Sequence, residues 1–256
     1  DLPGTESLQI DLTNVLALTE ALQNRTFHIV VDSAAKIPLG MNINEDYCDN
    51  ILMTCNLLKA LKDNPPEYFL KLSTIDVYKI SNKVNENTKV SPQSYYSLSK
   101  RVSEQFSEIW SKELRVPICI LRLTQIFGPR DRSTKFIPSI IKQIKENSKV
   151  RIYGDGSDRR DFLFVEDAAR LIVDCCEKRI SGIFNLASGK SYSLLEVVKV
   201  LQGILNKKIE IEFFERKKQR IDYEFDIKNL VNKLGPLNLT DLSDALKITC
   251  HQESLL

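Results

Sequence analysis

The chain has 256 residues, 43% of them hydrophobic, which suffices for one large or two small domains with a substantial core. Its 36 Lys and Arg against 34 Asp and Glu leave a formal charge of +2, and the densest basic run, Arg216-Lys217-Lys218-Gln219-Arg220, reads as a solvated loop rather than a nucleic-acid footprint. No apolar stretch approaches the ~20 residues that span a bilayer, and no secretory segment opens the chain; six cysteines without short paired spacings and only two histidines argue against a disulfide framework, a metal site or a His-based hydrolase.

In chain order, short apolar strands alternate with amphipathic helices. A strand is predicted at His28 to Val31, a helix around Tyr47 to Leu61, a strand at Tyr68 to Ser73, a helix at Ser97 to Leu114 and a strand at Ile118 to Leu123. This alternation predicts an α/β fold with a parallel sheet and helical crossovers. Beyond Pro129 the period becomes irregular, with helices near Phe136 to Glu146 and Leu194 to Leu205 and a Gly-Asp-Gly turn at 154–156. Those segments suggest a smaller lobe, interrupted near Phe162 to Leu186 by a return to the main domain. The expected division is 1–129 plus 162–188 against 130–161 plus 189–256.

Within this frame, Tyr96 and Lys100 stand four residues apart at the start of a helix, which places a phenol and an ammonium on one face. A tyrosine near pKa ~10 is a poor base at neutral pH, and a cation beside its oxygen favours the phenolate. Lowering that value to about 7 requires ~3 units, roughly 4 kcal/mol of differential stabilisation. Upstream, the strand Tyr68 to Ser73 runs directly into Thr74, and hydroxyls at the carboxyl end of a parallel strand sit where open α/β sheets bind ligands.

Eight ordered segments carry a further message: LQIDLTN from Leu8, VDSAA from Val31, DNILMTCNLL from Asp49, STIDVY from Ser73, YSLSK from Tyr96, RLTQIFGPRDR from Arg122, IYGDGSDRRDFLFVEDAARLI from Ile152 and FNLASG from Phe184. Together they resemble the extended short-chain dehydrogenase/reductases, which epimerise, dehydrate or reduce nucleotide sugars on a bound nicotinamide cofactor. The resemblance covers nearly the whole chain. It implies a Rossmann-like doubly wound parallel sheet with a smaller α/β substrate lobe, a bound NAD (with NADP open) and a nucleotide-sugar substrate; the cysteines, mostly in apolar helical or strand patterns, fit reduced thiols in a cytoplasm. It also implies a homodimer built on the helices near Tyr47 to Leu61 and Ser97 to Leu114, which carry Ile51, Leu58, Val102, Phe106 and Trp110.

By the same resemblance, Thr74 contacts the reacting sugar hydroxyl, Tyr96 takes its proton, and Lys100 binds the nicotinamide ribose and tunes Tyr96. Asp11 and Leu12 match an adenine-contacting pair, although Asp11 reads equally well as a cap before Thr13-Asn14. Ala34 and Ala35 match the small residues that let the backbone approach the cofactor, and Asn50 matches a helix asparagine near the site. Gln125 stands where the family has asparagine, which puts its sugar-diphosphate contact in question. Arg160 is a fitting phosphate or ribose ligand because of its planar fork, and either Arg216 or Arg220 serves a second phosphate.

The family's first strand, Gly-rich turn and first helix are expected before Leu8, whereas the sequence given opens at Asp1. The close glycine pair Gly154-x-Gly156 belongs to the smaller lobe. Since the Gly-rich turn normally receives the pyrophosphate, a piece of a longer enzyme is favoured over a degenerate relative, and poor dinucleotide binding by this stretch alone is expected. Ile75 follows Thr74 where dehydratases carry an acid, so epimerisation is favoured over dehydration or reduction, with Asp76 a partial substitute for the second acid. A catalytically silent binding or scaffold protein is the alternative of a different class.

Overall fold

The computed structural model describes residues 4–38, 47–79, 81–147, 149–216, 220 and 222–256; Lys217, Lys218 and Gln219 of the basic run lie outside them. The chain runs through α1 (Val15–Leu22), β1 (Ile29–Asp32), α2 (Cys48–Ala60), β2 (Tyr68–Thr74), β3 (Lys83–Val84), α3 (Tyr95–Leu114), β4 (Ile118–Leu123) and β5 (Gln125–Phe127). It continues with α4 (Phe136–Lys145), β6 (Val150–Tyr153), β7 (Arg159–Phe164), α5 (Val165–Glu177), β8 (Gly182–Leu186) and β9 (Ser191–Ser193). The last elements are α6 (Leu194–Leu205), β10 (Ile211–Phe214), β11 (Glu224–Phe225), α7 (Lys228–Leu234) and α8 (Leu242–Gln252).

Strands β1, β2, β4 and β8 form a parallel sheet in that spatial order. Side chains alternate across it. Tyr68 and Leu70 of β2, with Cys119 and Leu121 of β4, pack on Ala168, Leu171 and Cys175 of α5 and on Leu230 of α7. Phe69 points the other way, onto Leu58 of α2 and Trp110 of α3. Helices therefore cover both faces, the doubly wound arrangement that near-continuous apolar strands predict.

Strand β2 reaches Thr74, one residue past the predicted end. Helix α3 starts at Tyr95, two residues before its predicted start, because Ser94 and Ser97 form a reciprocal capping box that satisfies the first amides. Helix α1, which periodicity did not reveal, buries only Leu18. Two residues assigned to the dimer surface belong to the core instead: Leu58 and Trp110 are 5% and 8% exposed, and the indole N–H of Trp110 donates to the Leu58 carbonyl at 3.0 Å. The apolar side chains left exposed on these helices are Leu52, Leu98, Phe106 and Ile109.

The smaller lobe has its own core, in which Ile137, Ile140, Ile141 and Ile144 of α4 meet Val150 and Ile152 of β6, Val197, Val198 and Leu201 of α6 and Leu246 of α8. Strand β7 serves both cores, with Phe162 and Phe164 turned to the lobe and Leu163 to the main sheet. It pairs with β5 and β9, and β6 pairs with β10.

Candidate active site

The carboxyl end of β2 and the first turn of α3 converge. Thr74 closes the strand, and its hydroxyl accepts the Asp76 amide at 3.2 Å, capping a short 3-10 turn at Ile75–Val77. The Ser94 capping box sets the start of α3 and with it the position of Tyr96. The Tyr96 ring is half-buried, edge-on to Tyr47 at 5.7 Å, and its phenol lies against the Thr74 hydroxyl, which favours the ionised form. Burial first, then the Asp76 carboxylate, outweigh that influence and push Tyr96 up to about 12.

Lys100, one turn further along α3, is buried, with its ammonium donating to the Leu72 carbonyl at 2.8 Å. Burial and then the neighbouring Lys71 ammonium bring it down to about 8, against the pull of Asp32 and Glu104. A buried ammonium needs an acceptor, and in this structure the strand carbonyl supplies one. Asp76 is open to solvent yet ringed by protein, and burial raises its carboxyl while Lys135 opposes. Thr74, Asp76 and Tyr96 thus meet at one spot beyond the carboxyl end of β2. Ile75 is buried away from it.

The other expected residues occupy varied settings. The Asp11 carboxylate accepts the Thr13 amide at 2.9 Å and its hydroxyl at 2.7 Å, so it caps the turn before α1. Asn56 of α2 holds the Leu12 carbonyl at 2.9 Å. Ala34 and Ala35 follow the carboxyl end of β1 and are half-buried. Asn50 is buried, and its amide is spent on protein: it accepts the Lys36 N–H at 2.7 Å and donates to the Lys36 carbonyl and the Ser99 hydroxyl, each at 3.1 Å. Its position thereby anchors the backbone just beyond Ala34-Ala35.

On the lobe side, Gln125 is half-buried at the start of β5, beside Phe162 of β7. Arg160 sits half-buried with its guanidinium 6.0 Å from the Tyr223 ring centre. Arg216 pairs with Asp158 at 2.5 Å and Asp155 at 3.3 Å, and Arg220 with Asp222 at 2.9 Å. Asp158 keeps its second carboxylate oxygen buried without a hydrogen-bond partner. The Gly-Asp-Gly turn makes room for Arg216: Gly154 has φ +90°, and a Cβ there would stand 2.5 Å from the guanidinium.

Two buried charged clusters were not anticipated. Lys71 pairs with Asp32 between β2 and β1. Glu104 of α3, wholly buried, accepts Arg122 of β4 at 3.0 and 2.7 Å, Ser73 at 2.5 Å and Arg101 at 2.8 Å. The visible signal was Lys71 and Arg122 inside otherwise apolar strands; their partners lie on other elements. Among the described residues no group of three His, Cys, Asp or Glu side chains is placed to hold a metal, and no helix is long and apolar enough to cross a membrane.

The family described as NAD dependent epimerase/dehydratase matches residues 2–187. The chain belongs to this family. A UDP-glucuronate 4-epimerase of Thermodesulfobacterium geofontis is 30% identical over 211 residues, 80% of this chain and 65% of that protein. An uncharacterized UDP-glucose epimerase of Bacillus subtilis is 28% identical over 212 residues, 82% of this chain and 66% of that protein. The chain thus spans slightly under two thirds of either relative. The crystal structure of the UDP-glucuronic acid 4-epimerase of Bacillus cereus, in complex with UDP-glucuronic acid and NAD, superposes with a TM-score of 0.86 at 28% identity, covering 97% of this chain and 82% of that one. A likeness of this extent makes the Rossmann-like sheet of this family member the same fold.

The residues present fit the two ends of a dinucleotide. Ala34 and Ala35, with short side chains, follow the carboxyl end of β1, and Lys100 keeps two of its three N–H bonds beyond the one given to Leu72.

Proposed function

We propose that the protein is an NAD-dependent nucleotide-sugar epimerase. The observation that carries this reading is the Thr74 hydroxyl set near the Tyr96 phenol at the carboxyl end of β2, with Lys100 one turn further along α3. The chemistry that NAD supplies when bound is reversible acceptance of a hydride from the sugar carbon. Thr74 aligns the reacting hydroxyl, and Tyr96 takes its proton and later returns it to the oxygen. With Tyr96 at about 12 in the free protein, forming the phenolate at neutral pH costs about 7 kcal/mol. Positive charge near the phenol offsets that cost, and Lys100 is the cation this chain contributes. Asn50 positions the Ala34-Ala35 backbone beside the cofactor, while Asp11 and Leu12 face its adenine end.

Arg160 and Arg216 are the diphosphate ligands in this reading, since both gather around Asp158 next to the Gly154 turn. In this reading the substrate lobe is 130–161 plus 189–256 and the cofactor domain is the remainder, except that α7 returns to the main sheet through Leu230. The exposed Leu52, Phe106 and Ile109 support a homodimer through α2 and α3, and the free, mostly buried cysteines fit a cytoplasmic setting. One observation favours a second reading, a nucleotide-sugar dehydratase: Asp76 is an accessible acid beside Tyr96, able to move a proton at a neighbouring carbon. Incubation with NAD and a panel of UDP-, dTDP- and GDP-sugars, with products read by mass and NMR, separates the two. An epimer of unchanged mass is expected; loss of water selects the dehydratase, and no conversion of any sugar by NAD-saturated protein overturns both.

A further inference from the structure

Beneath Lys100 lies a charged pair that the proposed reaction does not use. Asp32 ends β1 directly across from Lys71 of β2 in the sheet register. The Lys71 ammonium donates to the Asp32 carboxylate at 2.5 Å and to the Thr54 hydroxyl of α2 at 3.0 Å, and the two charged side chains are 1% and 4% exposed. Lys71 shares its face of β2 with Phe69, in a strand where every other residue between Tyr68 and Leu72 is apolar or aromatic. A buried pair of this kind gains little over well-packed apolar residues, so stability alone does not account for it.

Its neighbour does. Lys100 bonds to the carbonyl of Leu72, the residue next to Lys71, so two ammonium groups are buried side by side over one strand. The charged groups acting on Lys100 are Lys71 from β2, Asp32 from β1 and Glu104 from its own helix, on which Tyr96 stands one turn earlier; Cys55 of α2 faces Lys71. The Glu104 carboxylate is itself committed to Arg122, Arg101 and Ser73.

We propose that the Asp32–Lys71 pair is a positioning device for Lys100: Lys71 holds a fixed positive charge beside the Lys100 ammonium, Asp32 offsets part of it, and their balance sets the pH at which Lys100 gives up its proton. The direction agrees with the value of about 8 at Lys100, to which Lys71 contributes downward more strongly than Asp32 contributes upward. A lysine poised there is charged at neutral pH yet loses its charge within about one or two pH units, whereas an ordinary lysine holds it to about 10.4. Its electrostatic help to Tyr96 then fades just above neutrality.

The inference rests on the reading of Lys100 as the cation beside the reacting phenol, and its test does not depend on turnover. Lysine side chains labelled with 13C at Cε are titrated by NMR in the whole protein, with the Lys100→Arg spectrum identifying the Lys100 signal. Lys71→Met should raise the Lys100 midpoint by about one unit, because a like charge is gone and Asp32 is left facing it. Asp32→Asn should lower it. The double variant Asp32→Asn/Lys71→Met leaves no unpaired buried charge, so it keeps its fold where a single variant does not; its midpoint should lie above wild type and below Lys71→Met. Lys71→Arg should leave the midpoint in place. Midpoints unchanged in the double variant overturn the inference. A shifted midpoint in a protein that converts no sugar overturns only the reaction, and conversion with an unmoved midpoint overturns only the device.

Discussion

Replacing Glu104 by Gln isolates the buried charge that ties α3 to the sheet. The carboxylate is fully buried and receives four hydrogen bonds, two from Arg122 and one each from Ser73 and Arg101. Glutamine keeps the shape but removes the charge, and its amide N–H2 then confronts donors, leaving the Arg122 guanidinium buried without a counter-charge. Breaking one partner of such a pair costs about 3–5 kcal/mol, a large share of the roughly 5–15 kcal/mol of a typical domain. For a chain of this size each kcal/mol moves the melting temperature by about 2–4 °C, so a drop of about 6–20 °C is expected.

The assay is thermal and urea unfolding at pH 7, with Arg101→Gln as control. Arg101 is 23% exposed on its side chain, and its loss should cost less than about 1 kcal/mol. The pH dependence carries a sign of its own. Burial alone would raise the Glu104 carboxyl, but Arg122, Ser73 and Arg101 bring it below its ordinary value. Its contribution is therefore present above the unfolded value of 4.5 and is lost as pH falls through the lower folded value. Wild type should show that loss and Glu104→Gln should not. A Glu104→Gln protein melting within about 2 °C of wild type would refute the reasoning.

Tyr96→Phe deletes one oxygen from a half-buried ring and should leave unfolding almost unmoved while cutting turnover by ~100 to ~10,000-fold; near-wild-type turnover would remove Tyr96 as the base. Lys100 titrates at about 8 when folded, below its ordinary 10.5, so the folded state penalises the charged form. Stability from this group should rise by about 3 kcal/mol as pH climbs from roughly 8 to 10.5, and a Lys100→Met protein should lack that rise in pH-dependent denaturation. Gly154→Ala places a Cβ where the Arg216 guanidinium lies and forces a strained positive φ; calorimetry should find UDP binding weakened about tenfold or more, as for loss of one charge-assisted contact, and unchanged affinity would separate Arg216 from the diphosphate.

Local pattern determined much of this protein. The alternation of apolar runs and amphipathic helices specified a parallel, doubly wound sheet, because a strand buried on both faces must be largely apolar and its parallel partner must be reached by a crossover. The Tyr96 to Lys100 spacing specified a shared helix face, because 3.6 residues per turn leaves no other arrangement. Tertiary structure decided which charges those residues meet. Lys71 was visible as a lone ammonium in an apolar strand, but its partner Asp32 is 39 residues away and is chosen by the register of β1 on β2. Glu104 and Arg122 meet only because α3 crosses β4. Lys100 turns to the Leu72 carbonyl, and Arg216 to Asp158, for the same reason. A buried charge takes whichever compensating group the packing brings within 3 Å or so, and that distance is a property of the folded chain, unwritten in the spacing of residues along it.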